Sequence, residues 1–136
     1  MIEQISDFFT IEMIYLWLNI GVLPFWILLI FFSNTKLSSF LVTSIFPHII
    51  LGTLYIYLVY YFYISGYDFF NNFKLYLGIK HLNNLFSDYP FLIMFWVHFI
   101  AINLFCGCWI VKDSQKLMIP KFLIFIPLVI TYFVGP

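Results

Sequence analysis

Arginine is absent from this 136-residue chain, and charge of either sign is scarce: 9% of residues, six lysines against six acids. A soluble domain of this size carries roughly a quarter of its residues charged, so the surface is not built for water. Lacking the guanidinium fork, the chain has no bidentate anion clamp. Lacking a basic excess, it shows no footprint for nucleic acid or a phosphate-rich ligand. HxxxH, HExxH and paired carboxylates are missing, and no carboxylate sits in the interior of an apolar stretch, so no metal or cofactor is expected. Neither a glycine-rich phosphate loop nor a Ser/His/Asp arrangement is visible. Cysteine occurs only at Cys106 and Cys108. Residues two apart on a helix point roughly 160° from each other, so these thiols neither bridge nor share an ion, and packing is their plain reading. The N-terminus lacks the positive region of a signal peptide, because Glu3, Asp7 and Glu12 stand in its place.

What is present is apolar. Hydrophobic residues make up 64% of the chain and aromatics 24%, with a mean hydropathy of +1.03. They gather in four stretches, about 11–32, 40–64, 90–111 and 119–134. A helix needs about 20 apolar residues to cross roughly 30 Å of hydrocarbon, and the first three stretches satisfy this. The fourth is short and reaches Gly135-Pro136, so it either tilts little or lacks a C-terminal piece. A barrel needs at least about eight strands of alternating pattern, and these runs do not alternate. The expected fold is all-α: a polytopic membrane protein, residues 1–136 in a single domain, with a four-transmembrane-helix bundle. Its first partner is the lipid bilayer. A bundle this small often buries a face in a homo-oligomer, but no GxxxG motif marks where.

Residues 65–89 form the one substantial segment outside the spans. Ser65-Gly66 reads as a helix stop and Ser87-Asp88-Tyr89-Pro90 as a cap before the third span. Between them Phe69, Phe70, Phe73, Tyr76, Leu77, Leu82, Leu85 and Phe86 alternate loosely with asparagines, lysines and His81. That mixture is too apolar for a free loop and too polar for a span, so an amphipathic segment in the membrane interface is expected. Lysine placement orients the bundle. Lys36, Lys112, Lys116 and Lys121 fall on one side, and Lys74 and Lys80 on the other with Glu3, Asp7, Glu12, Asp68 and Asp88. The positive-inside rule then puts both termini on the non-cytoplasmic side.

Polar residues inside the spans need a partner or a use. At 1.5 Å per residue, Asn19 and His98 lie about 12 Å deep from the non-cytoplasmic side, with Tyr57 and Thr131 near the same level. A second layer holds His48 and Asn103. The two asparagines serve either as helix–helix hydrogen bonds or as part of a site. His98 either donates to a carbonyl and stays neutral or takes a proton-transfer or ligand role. His48 follows Pro47 and is expected to satisfy backbone freed by the proline, and His81 to be solvated. His98 and Asn103 are five apart, about 140° around a helix, so one small ligand would not meet both.

Three pieces of sequence together resemble a known family: Asn19-Ile-Gly-Val-Leu-Pro-Phe-Trp-Ile-Leu-Leu-Ile (19–30), Leu54-Tyr55-Ile-Tyr57-Leu, and Trp96-Val-His98-Phe-Ile-Ala101-Ile-Asn103-Leu-Phe-Cys-Gly107-Cys-Trp109-Ile-Val-Lys-Asp113, with Ile119-Pro120 and the terminal Phe133-Val-Gly135-Pro136 following. The pattern resembles the abscisic-acid-deficient-4-like family, small four-span proteins of plastids and bacteria, from Trp17 onward. The resemblance implies a bacterial inner-membrane protein concerned with carotenoids or other isoprenoid lipids. Plant members are associated with isomerising the epoxide of violaxanthin to the allenic alcohol of neoxanthin, which needs no redox cofactor. It needs one proton delivered to the epoxide oxygen and another removed from carbon. On that pattern His98 is the acid or base, with Asn19 or Asn103 orienting the oxygen. The family carries an acid where Asn103 stands and a base where Cys108 stands. Two readings follow: a non-catalytic membrane protein that binds a lipid or pigment or supports a partner, and a cofactor-independent isomerase of an epoxy-carotenoid or other isoprenoid lipid. A third, a transporter or channel subunit, has no charge within the spans to support it.

Overall fold

The structure, a computed structural model, describes residues 10–136, so Glu3 and Asp7 lie outside the described residues. Every regular element among the described residues is helical. Helix α1 (Ile11–Phe31) starts at Thr10, whose hydroxyl accepts from the Met13 N–H at 3.3 Å. It runs through Pro24, which a membrane helix tolerates when neighbouring helices shield the freed carbonyl. Helix α2 (Lys36–Leu41) follows, capped by Thr35. The second apolar stretch, expected as one helix over 40–64, is divided, because helix α3 spans Phe46–Ile64. Pro47 is the reason. It has no N–H to give the Thr43 carbonyl, a loss that costs nothing in the first turn of a helix, so it starts a new helix instead of continuing the old one. The Phe46 N–H bonds the Ser44 hydroxyl at 3.3 Å.

The segment between the second and third spans is a 3-10 helix (Phe69–Leu77) followed by helix α4 (Ile79–Phe86). Gly78 joins them at φ 136°, backbone that favours a residue without Cβ. Helix α5 (Tyr89–Lys116) opens on Pro90 and continues five residues beyond the expected 111. Helix α6 (Lys121–Phe133) has 13 residues, about 20 Å of rise and well short of the hydrocarbon thickness. Three stretches are long and apolar enough to cross a membrane: Ile11–Phe31, Lys36–Ile64 and Tyr89–Lys116.

Helix α5 is the hub. It packs against α1, α3, α4 and α6, while α1 also packs on α6 and α2. Helices α1 and α3 make no extended contact and instead flank α5. In its most apolar window 44% of α5 is buried inside the chain, against 28% for each of the other two long stretches. Its inward stripe of Ile93, Val97, Ile100, Leu104 and Val111 meets Leu18, Val22, Trp26 and Leu29 of α1 and Leu51 and Leu58 of α3 in one apolar core. Gly107 lets the Trp26 ring approach the α5 backbone.

Candidate functional site

Two of the three candidate residues, Asn19 and Asn103, line one cavity. A cavity of about 190 Å³ lies between α1, α5 and α6, lined by Asn19, Trp26, Trp96, Phe99, Asn103 and Tyr132 among others. The Asn19 side chain is fixed from both ends: its amide N–H donates to the Tyr15 carbonyl at 2.7 Å, and its Oδ1 accepts from the Trp96 indole at 3.3 Å. Asn103 is 3% exposed, and its Oδ1 is buried with no hydrogen-bond partner. The C-terminal segment lies over it, since a Cβ on Gly135 would sit 3.6 Å from that oxygen. Counted by depth, the two asparagines fall at different levels. Side chains on a helix lean toward its N-terminus, which carries Asn103 back toward the level of Trp96 and Asn19.

His98 is elsewhere. It is exposed on the side of α5 that faces α3, its ring 6.1 Å from that of Tyr55. The 140° between positions 98 and 103 separates the two, so the cavity holding both amides does not include His98. His48 packs edge-to-face on Phe105 at 5.8 Å, and its Nε2 is buried without a partner. Cys106 and Cys108 are both free thiols. Cys108 is buried and donates to the Val42 carbonyl at 3.2 Å, one of the acceptors at the break before Pro47. Thr131 is buried on α6, and Tyr57 stacks on Tyr61 at 6.3 Å. Sequence reasoning missed Tyr132 and had Trp26 only as part of the family motif on α1; their rings stand 5.3 Å apart and wall the amide cavity. Only the neighbouring Thr131, placed by depth near Asn19, pointed toward that stretch of α6.

A second and larger space lies where α1 and α3 fail to meet. It is a groove of about 850 Å³, its walls Trp17, Leu18, Gly21 and Phe25 on one side and Ile50, Leu54 and Tyr57 on the other. The lining is almost wholly apolar. A Cβ on Gly21 would meet nothing within 4 Å, so the groove is open at that point.

The chemistry available differs between these places. A carboxamide neither gives nor takes a proton at ordinary pH, so Asn19 and Asn103 can orient or hold an oxygen but not drive proton transfer. An unmade hydrogen bond on a buried carbonyl oxygen costs about 1–3 kcal/mol, which makes Asn103 an acceptor waiting for a donor. Among the described residues no three His, Cys, Asp or Glu side chains come together as a metal site.

No curated protein and no solved structure matches the chain. A family model does, over residues 13–136, and with it the motif residues on α1, α3 and α5 find their frame: the chain is a membrane protein belonging to the ABA4-like (ABA DEFICIENT 4-like) family.

Proposed function

We propose that the protein holds a flat apolar lipid of the isoprenoid or carotenoid class, without transforming it, in the groove between α1 and α3. The observation that carries this reading is the groove itself: about 850 Å³, apolar, and bounded by helices that lean on α5 instead of on each other. In a bilayer the competitor is an acyl chain, which is equally apolar, so burial alone selects nothing. Selection comes from shape and from rings, and Trp17, Phe25 and Tyr57 offer faces to a flat polyene. In this reading the chain crosses the membrane four times with α6 as the short fourth crossing. Both termini lie away from the lysine-bearing loops. The 3-10 segment and α4 lie in the interface, where the exposed Phe70, Phe73, Tyr76 and Leu77 enter the headgroup region.

One observation favours the isomerase as a second reading. His98 is a titratable ring outside the core beside Tyr55, where an epoxide reaching α5 from the side would meet a proton donor. One experiment separates the two. The protein and its Gly21→Phe and His98→Ala variants are made in membranes containing violaxanthin, purified, and their pigments extracted and chromatographed. Binding predicts unaltered violaxanthin on the protein and on His98→Ala, and its loss from Gly21→Phe, whose ring fills the groove. A new allenic product that disappears with His98→Ala establishes catalysis instead. No pigment on any purified form, with all three folded, overturns both.

A further inference from the structure

The lysines of this chain are too dispersed in sequence to form a basic patch, yet the fold gathers two of them around one polar cavity. The loop between α1 and α2 meets the turn between α5 and α6 at the lysine-bearing end of the bundle. They enclose about 480 Å³ lined by Ser33, Lys36, Ser39, Gln115 and Lys121 among others. This is the most polar of the three cavities, and no carboxylate lines it. The walls are tied together: the Gln115 amide donates to the Ser33 carbonyl at 3.0 Å and to Asn34 Oδ1 at 3.3 Å. Gln115 therefore positions the cavity and has no amide hydrogen left for a ligand.

Two features point to an occupant. Ser33 is 2% exposed, lines the cavity, and its hydroxyl has no hydrogen-bond partner. Buried hydroxyls are normally satisfied, and an unsatisfied one beside a polar cavity is a donor in reserve. The second feature is the charge balance. Among the described residues Lys36, Lys112, Lys116 and Lys121 stand at this end against a single exposed carboxylate, Asp113, which does not line the cavity. Ammonium groups bind phosphate as point charges, so no guanidinium fork is needed.

We propose that this cavity is a binding site for a phosphate-type anion, held between the Lys36 and Lys121 ammonium groups with Ser33 donating from the floor. The anion is either the headgroup of an anionic phospholipid or free phosphate, which share this chemistry. The site is independent of the apolar groove and stands whether or not that groove holds a pigment.

The test uses the full-length protein in detergent, assayed by native mass spectrometry against matched phosphatidylglycerol and phosphatidylcholine and by thermal melting. The expected result is one retained phosphatidylglycerol in preference to phosphatidylcholine, weakened tenfold or more in Lys36→Gln/Lys121→Gln and several-fold in Ser33→Ala. Lys112→Gln/Lys116→Gln, at the same end but outside the cavity, leaves retention unchanged. Millimolar inorganic phosphate that displaces the lipid and raises the melting temperature assigns the site to free phosphate. Retention that resists it assigns the lipid headgroup. Equal losses in the two lysine pairs, or no preference for the anionic lipid together with no rise in melting temperature on adding phosphate, overturn the proposal. If Lys36→Gln/Lys121→Gln fails to fold, Ser33→Ala decides alone, because removing one hydroxyl leaves the surface charge intact.

Discussion

Gly107 of α5 lies directly under the indole of Trp26 on α1: a Cβ added there would stand 2.8 Å from Trp26 Cη2 and 3.3 Å from Leu29 Cδ1. The Trp26 side chain is 2% exposed and abuts Tyr132, so it can yield only toward the amide cavity that it walls. Gly107→Ala is expected to cost about 1–3 kcal/mol through overpacking. Adding Trp26→Phe, which removes the crowding ring, recovers part of that loss. Reversible unfolding in mixed micelles checks both, and additive losses in the double variant would rule out this contact as the cause.

Asn103 makes an opposite prediction. Leucine has nearly the same size and no acceptor to leave unpaired, so Asn103→Leu stabilises the empty protein by about 1–2 kcal/mol. The same measurement decides it. A destabilised Asn103→Leu would mean that the Oδ1 acceptor is already satisfied by a bound water or ligand.

The Cys108 thiol bridges α5 to the broken second stretch through the Val42 carbonyl. Cys108→Ser keeps a donor there, whereas Cys108→Ala leaves the carbonyl unpaired and costs about 1 kcal/mol. Thiol labelling with a maleimide is expected to modify the partly exposed Cys106 well before the buried Cys108 in the folded protein. Equal labelling rates would contradict the burial of Cys108.

Tyr67 governs the alkaline limit of the segment outside the spans. Its phenol donates to Asn72 Oδ1 at 2.6 Å. Burial first, then the neighbouring Asp88 and Asp68 carboxylates, push its pKa up to about 12 from the usual 10. A pKa raised on folding means that the neutral phenol contributes stability below about pH 10, and that this contribution disappears as pH climbs through about 12. Protection of the backbone amides of residues 65–88 against hydrogen exchange, corrected for the intrinsic acceleration of exchange with pH, is expected to fall across that window in the native protein. In Tyr67→Phe, which has no proton to lose, exchange at pH 9 is already faster than native, and the step between pH 10 and 12 is absent. A step that persists in the variant would assign the alkaline loosening to another group.

The amide cavity shows where sequence reading stops. Asn19 and Asn103 were identifiable because each is a polar residue deep in an apolar run, and such residues are few. That they share a cavity was not identifiable, because depth counts only the position along each helix. It omits the lean of the side chain and the rotation of the helix about its axis. Tyr132 carries no such local signal: its ring suits lipid, core or site equally well. Pro47 marks the division of the second stretch, but a proline within an apolar run fits a kinked helix as well as a broken one.

What this chain's sequence determined by itself is its solvent. Four apolar runs and the scarcity of charge commit it to helices in a membrane, since hydropathy is a sum over neighbouring residues and needs no partner to be true. Pro47, Pro90 and Pro120, with Thr10, Thr35 and Asp68, likewise set helix starts by purely local geometry. Only the tertiary structure decided that α5 is the hub, that α1 and α3 leave a groove between them, and that Lys36 and Lys121 border one cavity. Those relations depend on which face each helix turns to its neighbours, and close packing of particular shapes, such as Gly107 beneath Trp26, selects that rotation when apolar residues surround the helix on every side.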